Sequence, residues 1–133
     1  MKILSLTIPL NPIPKKNSNR IARRRDGSRF LLPSERFELY QNQCGFFLGR
    51  YQNASGYPLD GAMEISCTFY RATKHRVDLT NLLEGIDDIL VHYGVIKDDS
   101  WKYIVSHDGS RIRFDKENPR TEITIRSIKN ETD

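Results

Sequence analysis

Arg76 to Lys102 reads RVDLTNLLEGIDDILVHYGVIKDDSWK. Leu82, Leu83, Ile86, Ile89, Leu90 and Tyr93 recur at helical spacing and make one apolar stripe. The stretch therefore predicts an amphipathic helix from about Thr80 to Tyr93. Gly94 stands where a left-handed residue ends a helix. Asp78 lies at the mouth of the helix, where the positive end of the helix dipole favours a carboxylate. On a helical wheel Asn81, Glu84 and Asp88 share the face opposite the leucines. After Gly94 the chain turns back, Val95 and Ile96 anchor it, and Lys97, Asp98 and Asp99 return toward the entrance of the same helix.

Outward from this segment, the rest of the chain supplies strands and one more helix. Before it, Met63, Ile65, Cys67 and Phe69 alternate, which predicts a strand over Ala62 to Tyr70. Farther back, Ser34 is a helix N-cap, followed by Phe37, Tyr40, Cys44, Phe47, Leu48 and Tyr51 at helical spacing. That predicts a helix from Glu35 to Tyr51. Leu4, Leu6, Ile8 and Leu10 alternate with Ser5, Thr7 and Pro9 in a first strand. Asp26-Gly27 is a hairpin-turn dipeptide between Asn19–Arg24 and Arg29–Leu32, which makes a projecting basic arm of residues 15–32. After the quoted stretch, Trp101, Tyr103 and Val105 alternate, Asp108-Gly109 turns, and Ile112 and Phe114 alternate back. Ile123 and Ile125 belong to a last strand, and residues 129–133 are a frayed tail. No repeat or linker interrupts the order, so residues 1–133 are expected to form one α+β domain: a mixed β-sheet with two main helices.

The 133 residues are 38% hydrophobic and 29% charged, the balance of an ordinary globular domain. The two cysteines, Cys44 and Cys67, fall on apolar positions and read as buried thiols. His75, His92 and His107 lack the spacing of a zinc pair and read as surface residues. The N-terminal apolar run is too short and too broken by prolines for a signal peptide or a membrane span, which points to a cytoplasmic protein with no membrane partner.

The net charge is +4, and its distribution says more than its size. Lys15, Lys16, Arg20, Arg23, Arg24, Arg25 and Arg29 are opposed only by Asp26. Arg71, Lys74, His75 and Arg76 come just before Asp78. The acids gather between Asp78 and Asp99. Basic flanks around an acidic centre suit a protein that grips phosphate and holds a divalent cation. Hydrolysing a phosphodiester requires charge neutralisation on the phosphoryl oxygens and an activated water, and Mg²⁺ on a few carboxylates supplies both. By spacing alone, Asp98-Asp99 also fits a turn, and Asp78 also fits an N-cap.

A longer gapped pattern separates these readings. Asp78-Leu79-Thr80-Asn81, then Glu84, Asp88 and Gly94-Val95-Ile96-Lys97-Asp98-Asp99, resembles the signature of the RusA-like Holliday junction resolvases, D-x-[DT]-N-x-x-[KE] followed by G-[VI]-[IL]-x-D-D. The N-terminal strand with its Pro-rich basic loop and the closing segment KENPRTEITI, Lys116 to Ile125, resemble the same family's two ends. The resemblance implies an α+β homodimer, bacterial or phage-encoded, that cuts branched DNA such as four-way junctions with Mg²⁺, for which Mn²⁺ substitutes. It implies metal ligands at Asp78 and Asp99 with Asp98 beside them. Two positions depart from the best-known pattern, which has Asp where this chain has Thr80 and Lys where it has Glu84. Glu84 restores a carboxylate, making it a fourth candidate ligand, and leaves a cation missing that Lys97, Lys74 or Arg76 would have to replace.

The expected catalytic set is thus Asp78, Glu84, Lys97, Asp98 and Asp99. Thr80, Asn81, Asp88 and Gly94 are expected to shape the site. Lys15, Lys16, Arg23, Arg24, Arg25, Lys74 and Arg76 are expected to hold DNA. Val91, on the polar face of the second helix, and the aromatics of the first helix suit a dimer interface. Two other readings use the same residues: a branched-DNA binding protein whose cleavage is impaired, and an acidic helix that docks a protein partner. Trp101 and Tyr103 are candidates for stacking on bases.

Overall fold

The computed structural model describes residues 3–128, without the side chains of 17–20 and 31–33. The expected tail at 129–133 lies outside the described residues. The elements in chain order are β1 (Ile3–Ile8), β2 (Asn17–Arg23), β3 (Arg29–Pro33), α1 (Glu35–Leu48), β4 (Met63–Arg71), α2 (Leu79–His92), β5 (Ile104–Ser106), β6 (Arg111–Phe114) and β7 (Arg120–Ser127). The α+β reading holds: a five-stranded mixed sheet carries two helices, and β2 and β3 pair separately as the hairpin arm.

Strand β4 is central because alternate residues along it are fully buried: Met63, Ile65, Cys67 and Phe69. It pairs antiparallel with β7, which pairs antiparallel with β1. Leu6 and Ile8 of β1 and Ile123 and Ile125 of β7 continue the same buried face. Against it pack Phe37, Tyr40, Cys44 and Leu48 of α1 and Leu82, Ile86, Ile89 and Leu90 of α2. Ser34 caps α1 as its sequence requires, its hydroxyl accepting from the Phe37 N–H at 3.2 Å. Gly49 to Tyr51, expected as the last turn of α1, form a tighter 3-10 turn. Both thiols are buried, and burial pushes the Cys44 thiol up to about 12 and the Cys67 thiol up as well, which keeps them protonated and unreactive.

The far edge of the sheet differs from the sequence expectation. Asp108-Gly109 does not reverse the chain. Strands β5 and β6 both run parallel to β4 and together form one interrupted edge strand. Parallel strands need a crossover, and α2 provides it between β4 and β5. In the interruption, side chains replace ladder partners. His107 Nδ1 lies 2.9 Å from the Ile65 carbonyl, the Ser66 hydroxyl donates to the Asp108 carbonyl at 2.6 Å, and the Cys67 N–H donates to the Ser110 hydroxyl at 3.0 Å. A turn dipeptide here makes a bulge because these side chains hold the strand in line. The strand also begins later than the alternation of Trp101, Tyr103 and Val105 suggests. The N–H groups of Tyr103 and Ile104 both bond back to the Ser100 carbonyl, so a turn occupies that stretch and leaves Trp101 62% exposed.

Candidate active site

The carboxylates are delivered by the two ends of α2. At its head, Asp78 is the N-cap residue in extended backbone, and its carbonyl accepts from the N–H groups of Asn81 and Leu82. Its side chain makes no cap bond. The carboxylate is exposed, and its Oδ2 accepts from the Asn81 side-chain amide at 3.5 Å rather than from the backbone of the helix start.

At the tail of α2, Gly94 takes a positive φ of 71°, a conformation that side chains other than glycine rarely adopt. The Val95 N–H then reaches the Leu90 carbonyl at 2.9 Å, and Val95 and Ile96 are buried. Leu59 straps this segment on both sides: its N–H donates to the Val95 carbonyl at 2.8 Å, and its carbonyl accepts from the Lys97 N–H at 3.0 Å. Asp98 and Asp99 follow directly from that anchored segment. Asp99 returns close enough to α2 for the charge of Asp88 to act on it. Its pKa is raised, first by partial burial and then by the charges of Asp88 and Asp98.

Lys15 completes the cluster. The loop after β1 lies along the first turn of α2, with the Lys15 N–H on the Asn81 carbonyl at 3.2 Å. The backbone fits there because Gly85 has no side chain; a Cβ on Gly85 would stand 3.3 Å from the Lys15 nitrogen. The Lys15 ammonium then pairs with Asp88 and stands 3.9 Å from Glu84 Oε1. The Asp88 contact, together with the charges of Asp88, Glu84 and Asp99, raises its pKa against the opposing effect of burial. Glu84, Asp88 and Asp99 thus share one cation from a distant part of the chain. The pairing puts Lys15 at the acids rather than on the exposed arm. Asp88, expected to shape the site, is its most contacted carboxylate.

Behind the cluster lies a pair that the sequence reading missed. His107 is not a surface residue. It is only 25% exposed, and its Nε2 lies 2.8 Å from Asp87 Oδ2. Both of its ring nitrogens face oxygen acceptors, which favours the imidazolium, and the bond to Asp87 raises its pKa. Asp87 is itself pushed up, chiefly by burial. The sequence signal available was an acid on the apolar side of the helix, next to Ile86.

Other expected residues are placed elsewhere. Lys97 meets Asp60 at 3.3 Å rather than the acid cluster. Arg23, Arg24 and Arg25 are exposed on the hairpin, and the Arg24 guanidinium lies 4.4 Å from the Phe30 ring centroid. Lys16 and Thr80 are exposed. Lys74 and Arg76 line a groove beside the β4–α2 loop. Val91, expected at an interface, is partly buried and packs against the core.

Among the described residues, no three His, Cys, Asp or Glu side chains are arranged so as to hold a metal ion. The donors nevertheless suit a hard divalent cation in kind, since they are carboxylates, and Asp99, crowded by two others, would be stabilised by added positive charge. A protein-family model described as Endodeoxyribonuclease RusA matches residues 9–126. No curated protein matches the chain.

Proposed function

The chain belongs to the RusA endodeoxyribonuclease family, whose members act on branched DNA, and from that premise we propose that it cleaves branched DNA such as four-way junctions with Mg²⁺ held by Asp78, Asp98, Asp99 and Glu84. The observation that carries this reading is the return of Asp99 to Asp88 across the strapped turn at Gly94. Clustered carboxylates would repel phosphate unless a cation offset them. Mg²⁺, when bound, supplies charge neutralisation on the phosphoryl oxygens and an activated water. Asp78 has an exposed carboxylate at the helix entrance, and burial together with the charges of Asp88 and Asp98 disfavours the charged form of Asp99.

Lys15 supplies the cation that the motif lacks at Glu84, since its ammonium already lies beside that carboxylate. With Mg²⁺ held by the acids, Lys15 would be released to face the scissile phosphate. Arg23, Arg24 and Arg25 on the hairpin, with Lys16, hold the DNA backbone without reading sequence. Mn²⁺ serves in place of Mg²⁺, and the setting is the bacterial or phage-infected cytoplasm.

Two cuts on opposing strands call for a two-fold pair of sites, so the protein acts as a homodimer. Leu39 (59% exposed) and Phe46 (87% exposed) lie seven residues apart on one stripe of α1 and support an interface there, in place of Val91. Sedimentation of F46E as a monomer, against a wild-type dimer, is the expected result. A wild-type monomer with and without junction DNA would overturn the paired-cut scheme.

One observation favours a second reading, that of a branched-DNA binding protein with impaired cleavage: the Lys15 ammonium already occupies the acid cluster. A cleavage assay on a synthetic four-way junction separates the two. The nuclease reading expects cuts with Mg²⁺ and none in chelator. Tight junction binding without cuts in either would establish the second.

A further inference from the structure

A groove of about 440 Å³ opens between the β4–α2 loop and β6, away from the acid cluster but joined to it by the chain, since Val77 lines the groove and Asp78 is the next residue. Arg71, Lys74, Arg76 and Arg113 line it. No carboxylate pairs with any of these four among the described residues. The nearest acid along the strand, Asp115, is turned to Arg120 instead, at 3.0 Å. Arg71 is held by one guanidinium nitrogen on the His75 carbonyl, and its Nε is buried without a partner. Burial, and then the charge of Arg36 on α1, lower its pKa. Such a set of cations has positive charge and a buried donor to spare, and no internal anion to take them.

The groove also has an aromatic face. Phe114 ends β6, is 49% exposed, and carries the Lys74 ammonium 4.9 Å from its ring centroid. An exposed phenyl ring among cations that no carboxylate neutralises matches the two halves of a nucleotide, a π-face and a phosphate. Inside an intact duplex every base face is taken by its neighbours, so only a base that has lost a stacking neighbour can use the ring.

We propose that this groove is a nucleotide subsite that stacks one base freed of a stacking neighbour, as at a point of strand exchange, on Phe114 and holds its phosphates with Arg71, Lys74, Arg76 and Arg113. The subsite rests on the branched-DNA reading and adds to it a reason for selectivity: it favours DNA with an open base next to the site of cutting. Duplex DNA gains only the phosphate contacts.

The test compares wild type with F114A, F114L and F114W in chelator, using a labelled four-way junction, a duplex of equal length and an oligothymidylate single strand. Phe114 is at the surface, so all four should fold, and F114L keeps the apolar volume without the π-face. F114A and F114L should lose about tenfold in affinity for the junction and for the single strand, with duplex affinity within about twofold and F114W close to wild type. Unchanged junction and single-strand binding in F114A, or an equal loss on duplex, would overturn the subsite. A wild type with no preference for the junction over duplex would count against the branched-DNA reading alone, because the single-strand comparison still decides the subsite.

Discussion

The ammonium of Lys15 pairs with the carboxylate of Asp88, 73 positions further along the chain, and so closes an acidic cluster that α2 and the turn after it assemble. The contact links the basic loop that follows β1 to the helix that carries Glu84, one of the carboxylates expected to bind metal. It makes the charge balance of the site depend on one residue outside the acidic segment.

Removing that charge should therefore expose the cluster. K15Q should lower the thermal midpoint in chelator, because Glu84, Asp88 and Asp99 lose their shared cation. Millimolar Mg²⁺ should recover more of the midpoint in K15Q than it adds to wild type, as linkage requires of an ion that binds the folded state. Junction cleavage should fall by about 10²-fold if Lys15 also faces the phosphate in the transition state. An unaltered midpoint and a wild-type rate would leave Lys15 without the assigned role.

Gly85 holds the same loop in place from the other side. A Cβ there would lie 2.8 Å from Phe37 Cε1 and 3.3 Å from the Lys15 nitrogen. Alanine in a helix interior ordinarily stabilises by about 1 kcal/mol over glycine. Here overpacking at a ring that is 3% exposed should cost about 1–3 kcal/mol, and the second effect should win. Differential scanning calorimetry of G85A should show a lower midpoint than wild type; a higher one would mean that Phe37 and the loop yield freely.

His107 and Asp87 should make stability depend on pH. The folded-state pKa of His107 is raised, so the pair's contribution is fully present below the ordinary histidine value of 6.5 and is lost as pH rises through the raised one. H107Q should melt a few degrees below wild type at pH 6, as loss of a charge-assisted hydrogen bond requires, and much closer to it at pH 9. A gap of the same size at both pH values would show that the ring acts by packing alone.

The sequence showed the helices and the position of the acids because each is written locally. Ser34 before an apolar stripe, and Gly94 after one, are signals contained within a turn or two of chain. The central strand was equally plain in the alternation from Met63 to Phe69. What lay hidden depends on contacts between distant residues. Asp108-Gly109 reads as a hairpin turn until His107 and Ser110 are seen bonding to Ile65 and Cys67 of the neighbouring strand. His107 reads as a surface residue until Asp87 appears opposite it. Val91 reads as exposed from a helical wheel, yet it packs against the core. Lys15 could be read only as one more positive charge in a basic run, because nothing in its neighbourhood along the chain names Asp88 as its partner.

Asp99 is proposed as a carboxylate of a metal-dependent cutting site rather than a residue of a turn. Asp99→Asn keeps the shape and removes the charge that Asp88 and Asp98 already oppose. The measurement is cleavage and binding of one labelled four-way junction by the wild type and by this variant, in Mg²⁺. The wild type should cut, the variant should not, and the variant should bind the junction at least as tightly as the wild type. Cleavage by the variant at the wild-type rate would contradict that assignment.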